Sequence, residues 1–175
     1  MPNGVMGSSA TPFWNDQRSR QHGWWVLLVL ALLLYLPGTS TIPLMDRDEP
    51  RFAHATVEMM DRDTWTIPYF NGAYRFDKPP LTYWWMRLHY SLLGVNELAA
   101  RLHSIVAVYL TALVVAAMAR KLTQNASSGL VAGAAWLTSL QSLVHGRLCV
   151  ADMPMILLVA LACRALLELL TEPAL

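Results

Sequence analysis

Apolar blocks dominate the chain, and one long polar block stands apart from them. Apolar runs fall at about 24–45, 102–119, 129–144 and 153–170, each near the length that crosses a bilayer as a helix. In the first run the uninterrupted apolar core is short, Trp24 to Leu36. The character resumes weakly through Ile42, Pro43, Leu44 and Met45, enough to make up the length of a full span. A cleaved signal peptide is the competing reading. No A-x-A-like site follows, so the segment is read as a retained span, with Trp24, Trp25 and Tyr35 at the two interfaces. Asn96 is placed to cap the second spanning helix, which closes on Arg120-Lys121. Gln124 to Ser128 forms a turn. The third run carries Gly129, Ala132, Gly133, Ala134 and Ala135, small residues that let helices approach closely. His145-Gly146-Arg147 interrupts before the last run, where Arg164 and Glu168 lie one turn apart and are expected to pair or snorkel.

The polar block, residues 46–95, predicts different elements. Pro50 suits the first turn of a helix running to about Met60. Ala53, Val57 and Met60 lie on one face and Arg51, His54 and Glu58 on the other, the pattern of an amphipathic helix on a membrane surface. Asn71-Gly72 sits between the aromatic-rich runs 66–70 and 73–76, a strong hairpin signal. Such a hairpin reverses the chain and returns Asp77 and Lys78 towards the acids at 46 to 49. Pro79 and Pro80 then open a second interfacial helix, Leu81 to Leu93, ended by Gly94. Its Tyr83, Trp84, Trp85 and Tyr90 suit an interface location. The fold class expected is therefore all-α integral membrane: about four transmembrane helices, amphipathic interfacial helices and a small hairpin in the first extracytoplasmic loop.

Composition agrees. Of the chain's residues 55% are hydrophobic and only 14% charged. Soluble domains carry roughly 25% charged residues, so the deficit favours a membrane protein. Residues 1–22, rich in Gly, Ser, Asn and Gln, are expected to be a disordered cytoplasmic tail, and 23–175 one membrane domain. The net charge of +1, with no basic run or nucleic-acid motif, gives no reason to expect a nucleic-acid partner. Cys149 and Cys163 lack metal-ligand spacing and read as small buried hydrophobes. If the four spans alternate, Arg18, Arg20, Arg120, Lys121 and Arg164 fall on one side. That side is read as cytoplasmic, which makes the acid-rich block extracytoplasmic.

The chemistry-bearing residues concentrate in that block. Asp48-Glu49-Pro50-Arg51 offers carboxylates, an arginine and a helix N-terminus within a few residues. Lys78 adds a cation, Asp77 a possible metal ligand, and Asp152 is a lone acid at the mouth of the last span. Glycosyl transfer from a lipid phosphate needs this set. A carboxylate takes the proton of a hydroxyl acceptor, and cations or helix N-termini stabilise the leaving phosphate. Each residue taken alone has a plainer reading. Asp48, Glu49 and Asp152 can be helix caps, Lys78 solvated loop, and His54 and His145 structural. The functional reading rests on their occurring together.

Asp48-Glu49-x-Arg51 followed by an aromatic and Ala53, then Pro68 and Gly72, then Asp77-Lys78-Pro79-Pro80-Leu81 with Tyr83-Trp84, resembles the N-terminal region of bacterial membrane glycosyltransferases of the lipid A aminoarabinose transferase and protein O-mannosyltransferase type. The resemblance covers about residues 24 to 170. It implies a GT-C fold, a polyprenyl-phosphate sugar donor, inversion at the anomeric carbon, and a bacterial inner-membrane location. The acceptor it implies is lipid A or a similar envelope molecule, or protein in the mannosyltransferases. It also implies that Asp48 is the key acid, that Arg51 and Lys78 bind the lipid phosphate, and that Asp152 is a second acid. Glu49 is grouped with Asp48 and Asp152 as catalytic. Asp77 falls where the aminoarabinose transferases carry a glutamate that can bind zinc. Two residues depart from the pattern: Asp77 is shorter than that glutamate by one methylene, and Phe52 replaces a common tyrosine. Family members are several times longer, so the expectation is an N-terminal piece, inactive alone. A non-catalytic four-span membrane protein is the rival from another class.

Overall fold

The computed structural model of this chain describes residues 17–45, 47–76 and 78–171. Asp77, the expected metal ligand, lies outside the described residues, as do residues 1–16 of the expected tail. The chain runs α1 (Gln17–Tyr35), α2 (Asp48–Asp61), β1 (Tyr69–Phe70), β2 (Ala73–Tyr74), α3 (Leu81–Leu93), α4 (Glu97–Thr123), α5 (Ala126–Thr138), α6 (Leu140–His145) and α7 (Asp152–Thr171). It is an all-α membrane fold with one two-stranded hairpin.

Among the described residues two helices, α4 and α7, are long and apolar enough to cross a membrane. In α1 the apolar part is shorter, Gly23–Tyr35. The helix starts inside the stretch read as a tail and stops at Tyr35, so the span does not continue to residue 45. The chain instead turns at Pro37-Gly38, where Gly38 takes φ +81°, and the Ile42 N–H closes onto the Gly38 carbonyl at 3.0 Å. The third apolar run is likewise two helices. Ser139 sits extended between α5 and α6, and its side chain caps α6.

The bundle packs α1, α5 and α7 around α4. Leu27, Ala31 and Tyr35, at helical spacing, form the buried stripe of α1. Tyr35 was expected at an interface; it is fully buried and donates to the Leu137 carbonyl at 2.7 Å. The small residues of α5 let backbones touch. A Cβ on Gly129 would stand 2.7 Å from the Ala116 carbonyl oxygen, and one on Gly133 3.1 Å from that of Ala112. Arg164 and Glu168 pair at 2.9 Å.

A second core joins α2, α3, the start of α4 and the segment before α7: Phe52, Ala55, Met59, Tyr83, Met86, Tyr90, Ala99, Ala100, Cys149 and Val150. The buried face of α2 is wider than the expected Ala53–Val57–Met60 face: Ala53 is buried and Val57 and Met60 pack against this core, with Phe52, Ala55, Thr56 and Met59 buried beside them. Thr56 satisfies its hydroxyl on the Phe52 carbonyl, which is why a polar residue fits there. Asp63 ends α2 in the left-handed region, with Thr64 N–H on Met59 O and Asp63 N–H on Met60 O, a Schellman closure. The hairpin forms as expected around Asn71 (φ 54°) and Gly72 (φ 76°), both left-handed as a type I′ turn requires. In α3, Tyr83 and Tyr90 face the core, while Leu81, Trp84, Leu88 and Leu92 form an exposed apolar stripe. Asn96 caps α4 by accepting from Ala99 N–H at 2.9 Å.

Candidate functional site

The first turn of α2 presents three charged side chains, and its geometry separates them. Asp48 and Arg51 point outward, 58% and 39% exposed, and form a loose pair at 3.7 Å. Glu49, between them in sequence, points inward and is fully buried. Its Oε1 accepts from Arg101 Nε and Cys149 N–H, both at 2.9 Å; its Oε2 accepts from Arg101 Nη2 at 2.9 Å and Met45 N–H at 2.8 Å. Burial alone would raise the Glu49 carboxyl. The Arg101 hydrogen bonds, the two amides and the guanidinium charge outweigh it and hold the group below its ordinary value of 4.5. Glu49 was expected among the catalytic acids. With every acceptor direction taken by protein donors, it has nothing left for a substrate, and its place is structural.

Arg101, in the second turn of α4, was not singled out from the sequence. All five of its N–H groups are used: two on Glu49, and the others on the carbonyls of Thr39 (3.0 Å), Ile42 (2.7 Å) and Pro43 (2.9 Å). An arginine beside His103 at the head of an apolar helix was the available signal. The Cys149 thiol also belongs to this knot, 3.4 Å from the Glu49 carbonyl. Burial, and then the adjacent Glu49 charge, push its pKa well above the ordinary thiol range, so it is an unreactive packing group.

The knot joins the main-chain neighbours of two expected site residues, Asp48 and Asp152. Asp48 precedes Glu49, and Asp152 follows Cys149 by three residues, so both acids flank one buried anchor. Asp152 opens α7, is 45% exposed at its side chain, and stands 3.5 Å from His145 Nε2. Lys78 is exposed and makes no ion pair among the described residues, so the structure does not join it directly to Asp48. Its flanks do return to α2. Arg75 is buried with its guanidinium carbon 5.3 Å from the Phe52 ring centre, its Nε donates to Tyr83 Oη at 3.0 Å, and the Tyr83 and Phe52 ring centres lie 5.5 Å apart. Phe52 is next to Arg51.

Glu58, expected on an open polar face, instead holds the hairpin. It accepts from Asn71 N–H at 2.5 Å and Gly72 N–H at 3.0 Å, with His54 at 3.1 Å. Arg87 locks α3 to the end of α2. It donates to Thr64 O at 2.8 Å and Asp63 Oδ1 at 3.0 Å and lies 3.8 Å from the Trp65 ring centre. Zinc was a possible cofactor on the family resemblance. Among the described residues no three His, Cys, Asp or Glu side chains gather, and Cys149 is occupied, so these residues by themselves do not build a zinc site.

Fold and site together define a class: a helical membrane protein with a charged polar layer tied together by the buried Glu49–Arg101 pair. A family model described as dolichyl-phosphate-mannose-protein mannosyltransferase matches residues 77–175, and the chain belongs to that family. It is 36% identical over 124 residues to the undecaprenyl phosphate-alpha-4-amino-4-deoxy-L-arabinose arabinosyl transferase of Edwardsiella ictaluri, covering 71% of this chain and 22% of that protein. The enzyme of the same name from Pseudomonas aeruginosa is 33% identical over 126 residues, covering 66% and 23%. The crystal structure of ArnT from Cupriavidus metallidurans bound to undecaprenyl phosphate superposes with a TM-score of 0.78 at 25% identity, covering 87% of this chain and 28% of that one. The chain thus spans about a fifth of the length of the curated relatives it matches.

Proposed function

We propose that this chain supplies the donor-gripping part of a membrane glycosyltransferase that moves a sugar from a polyprenyl phosphate onto lipid A or a similar envelope acceptor. One observation carries the reading. Glu49 is turned inward and locked, so its neighbours Asp48 and Arg51 are turned outward on a fixed helix N-terminus. In the reaction, an acceptor oxygen bonds to the anomeric carbon, the bond from that carbon to phosphate oxygen breaks, and polyprenyl phosphate leaves with the electron pair. Arg51, Lys78 and the α2 N-terminus stabilise that leaving charge. Asp48 takes the proton of a hydroxyl acceptor. With an already ionised phosphate acceptor it orients the acceptor or steadies positive charge on the sugar. Asp152 serves as the second acid on this reading. The names of the similar proteins support the donor class, and the family description supports a second acceptor, a protein hydroxyl receiving mannose. The distribution of Lys and Arg supports a cytoplasmic N-terminus and a polar layer on the outer side of the inner membrane.

The test uses the longest polypeptide that the reading frame encodes, assayed with both acceptor classes. Asp48→Asn is expected to lower transfer about a hundredfold or more. Near-normal turnover at saturating donor would remove Asp48 from the chemistry. Arg51→Ala and Lys78→Ala are each expected to weaken undecaprenyl-phosphate binding about tenfold, the scale of one charged hydrogen bond. No binding by the parent chain would favour a scaffold instead.

A further inference from the structure

We propose that Arg101 is a positioning residue: acting through Glu49, it fixes the separation and aim of Asp48 and Asp152. The proposal rests on the reading of those acids given above. A buried ion pair contributes little net stability compared with apolar side chains of the same volume, because both charges are taken out of water. What this pair supplies is direction. The guanidinium meets the carboxylate as a fork and spends its other three donors on the carbonyls of Thr39, Ile42 and Pro43. The carboxylate spends its remaining capacity on Met45 N–H and Cys149 N–H. Four separate stretches of chain therefore meet at one planar contact: the turn after α1, the first turn of α2, α4, and the segment before α7.

Both acids are tied to that contact through the main chain, Asp48 one residue from Glu49 and Asp152 three residues from Cys149. Arg101 touches neither acid and has no free donor for a ligand, so any effect on the site passes through Glu49. Lysine carries three donors on a single point and cannot reproduce five donors in a plane.

The experiment uses the chain in lipid nanodiscs. Arg101→Leu alone strands a buried carboxylate and is expected not to fold, so the informative variants are Arg101→Lys and the apolar double variant Glu49→Leu with Arg101→Met. Spin labels are placed at Asp48→Cys and Asp152→Cys in a Cys163→Ser background; Cys149 is buried and does not compete. The parent is expected to give one narrow distance distribution. Either variant, shown folded by its thermal transition, is expected to give a broad one. A folded variant that keeps the parent's narrow distribution overturns the proposal. Binding of undecaprenyl phosphate, measured on unlabelled chains well below the unfolding temperature, is expected to weaken about tenfold in the folded double variant; unchanged affinity also overturns it. A parent that binds no undecaprenyl phosphate would defeat the functional reading, while the spin-label distances would still decide the positioning role.

Discussion

The bundle and the polar layer solve the same problem, holding helices together, by opposite means. In the bundle, α4 and α5 meet backbone to backbone at Gly129 and Gly133, with few polar side chains involved. In the layer, long side chains cross between elements to reach main-chain groups: Arg101 to the turn after α1, Glu49 to Cys149, Glu58 to the hairpin, Arg87 to the end of α2. Small-residue contacts set how closely two helix axes approach. Directed hydrogen bonds fix rotation as well. The layer, which carries Asp48 and Arg51, is the part that requires fixed rotation.

The largest expected break in this contrast is Glu49→Ala. It leaves the Arg101 charge buried without its partner and is expected to cost about 3–5 kcal/mol. Unfolding in detergent micelles measures it. Gly129→Ala probes the other region. The added methyl must push the Ala116 carbonyl away, at about 1–3 kcal/mol, less the fraction that alanine returns in helix propensity. Its effect should appear in exchange of α4 and α5 amides and leave those of α2 unchanged. Gly72 sits at a φ of 76°, in the left-handed region. Gly72→Ala is therefore expected to cost about 1–2 kcal/mol. Protection should fall at the Asn71 and Gly72 amides while the bundle is untouched.

Acid separates the regions more gently. The folded Glu49 carboxyl lies below its ordinary value of 4.5. Its contribution is therefore complete above that value and fades as pH falls through the folded-state pKa. Thermal stability of the layer is expected to hold from pH 7 to 5 and drop below about 4.5, a drop that Glu49→Gln should reduce and not abolish, because the hydrogen bonds from Gly72 and Asn71 hold the Glu58 carboxyl below its ordinary value too.

Much of this was legible in the residues. Asn71-Gly72 wrote the hairpin, Pro79-Pro80 and Gly94 bracketed α3, and Asn96 marked the start of α4. What failed has physical causes. A buried ion pair reads as two polar residues, and hydrophobic periodicity assigns polar residues to the outside; that misplaced Glu49 and hid Arg101, one position before the expected span. The same rule left Thr56 off the buried face of α2, where it hides its hydroxyl on its own helix. Pro37-Gly38 is a breaker signal that hydropathy alone passes over when apolar residues resume beyond it. The Ser139 break carries neither glycine nor proline, and nothing in the local pattern announces it. Lys78 illustrates the remaining gap. Its flanks return to α2 as the hairpin implied, but a reversal of the chain does not by itself bring a flexible side chain into contact.

The uncovered stripe Leu81–Trp84–Leu88–Leu92 has a consequence for height. A helix with one greasy side sinks to the boundary between headgroups and acyl chains and stays there. Because Arg87 and the Phe52–Tyr83 contact tie α3 to α2, that float also sets how far Asp48 rides above the hydrocarbon. Altitude over the bilayer would then be tunable by trimming Trp84 or Leu88, and on the function proposed above a lipid-linked sugar on a tail of fixed reach would register the change.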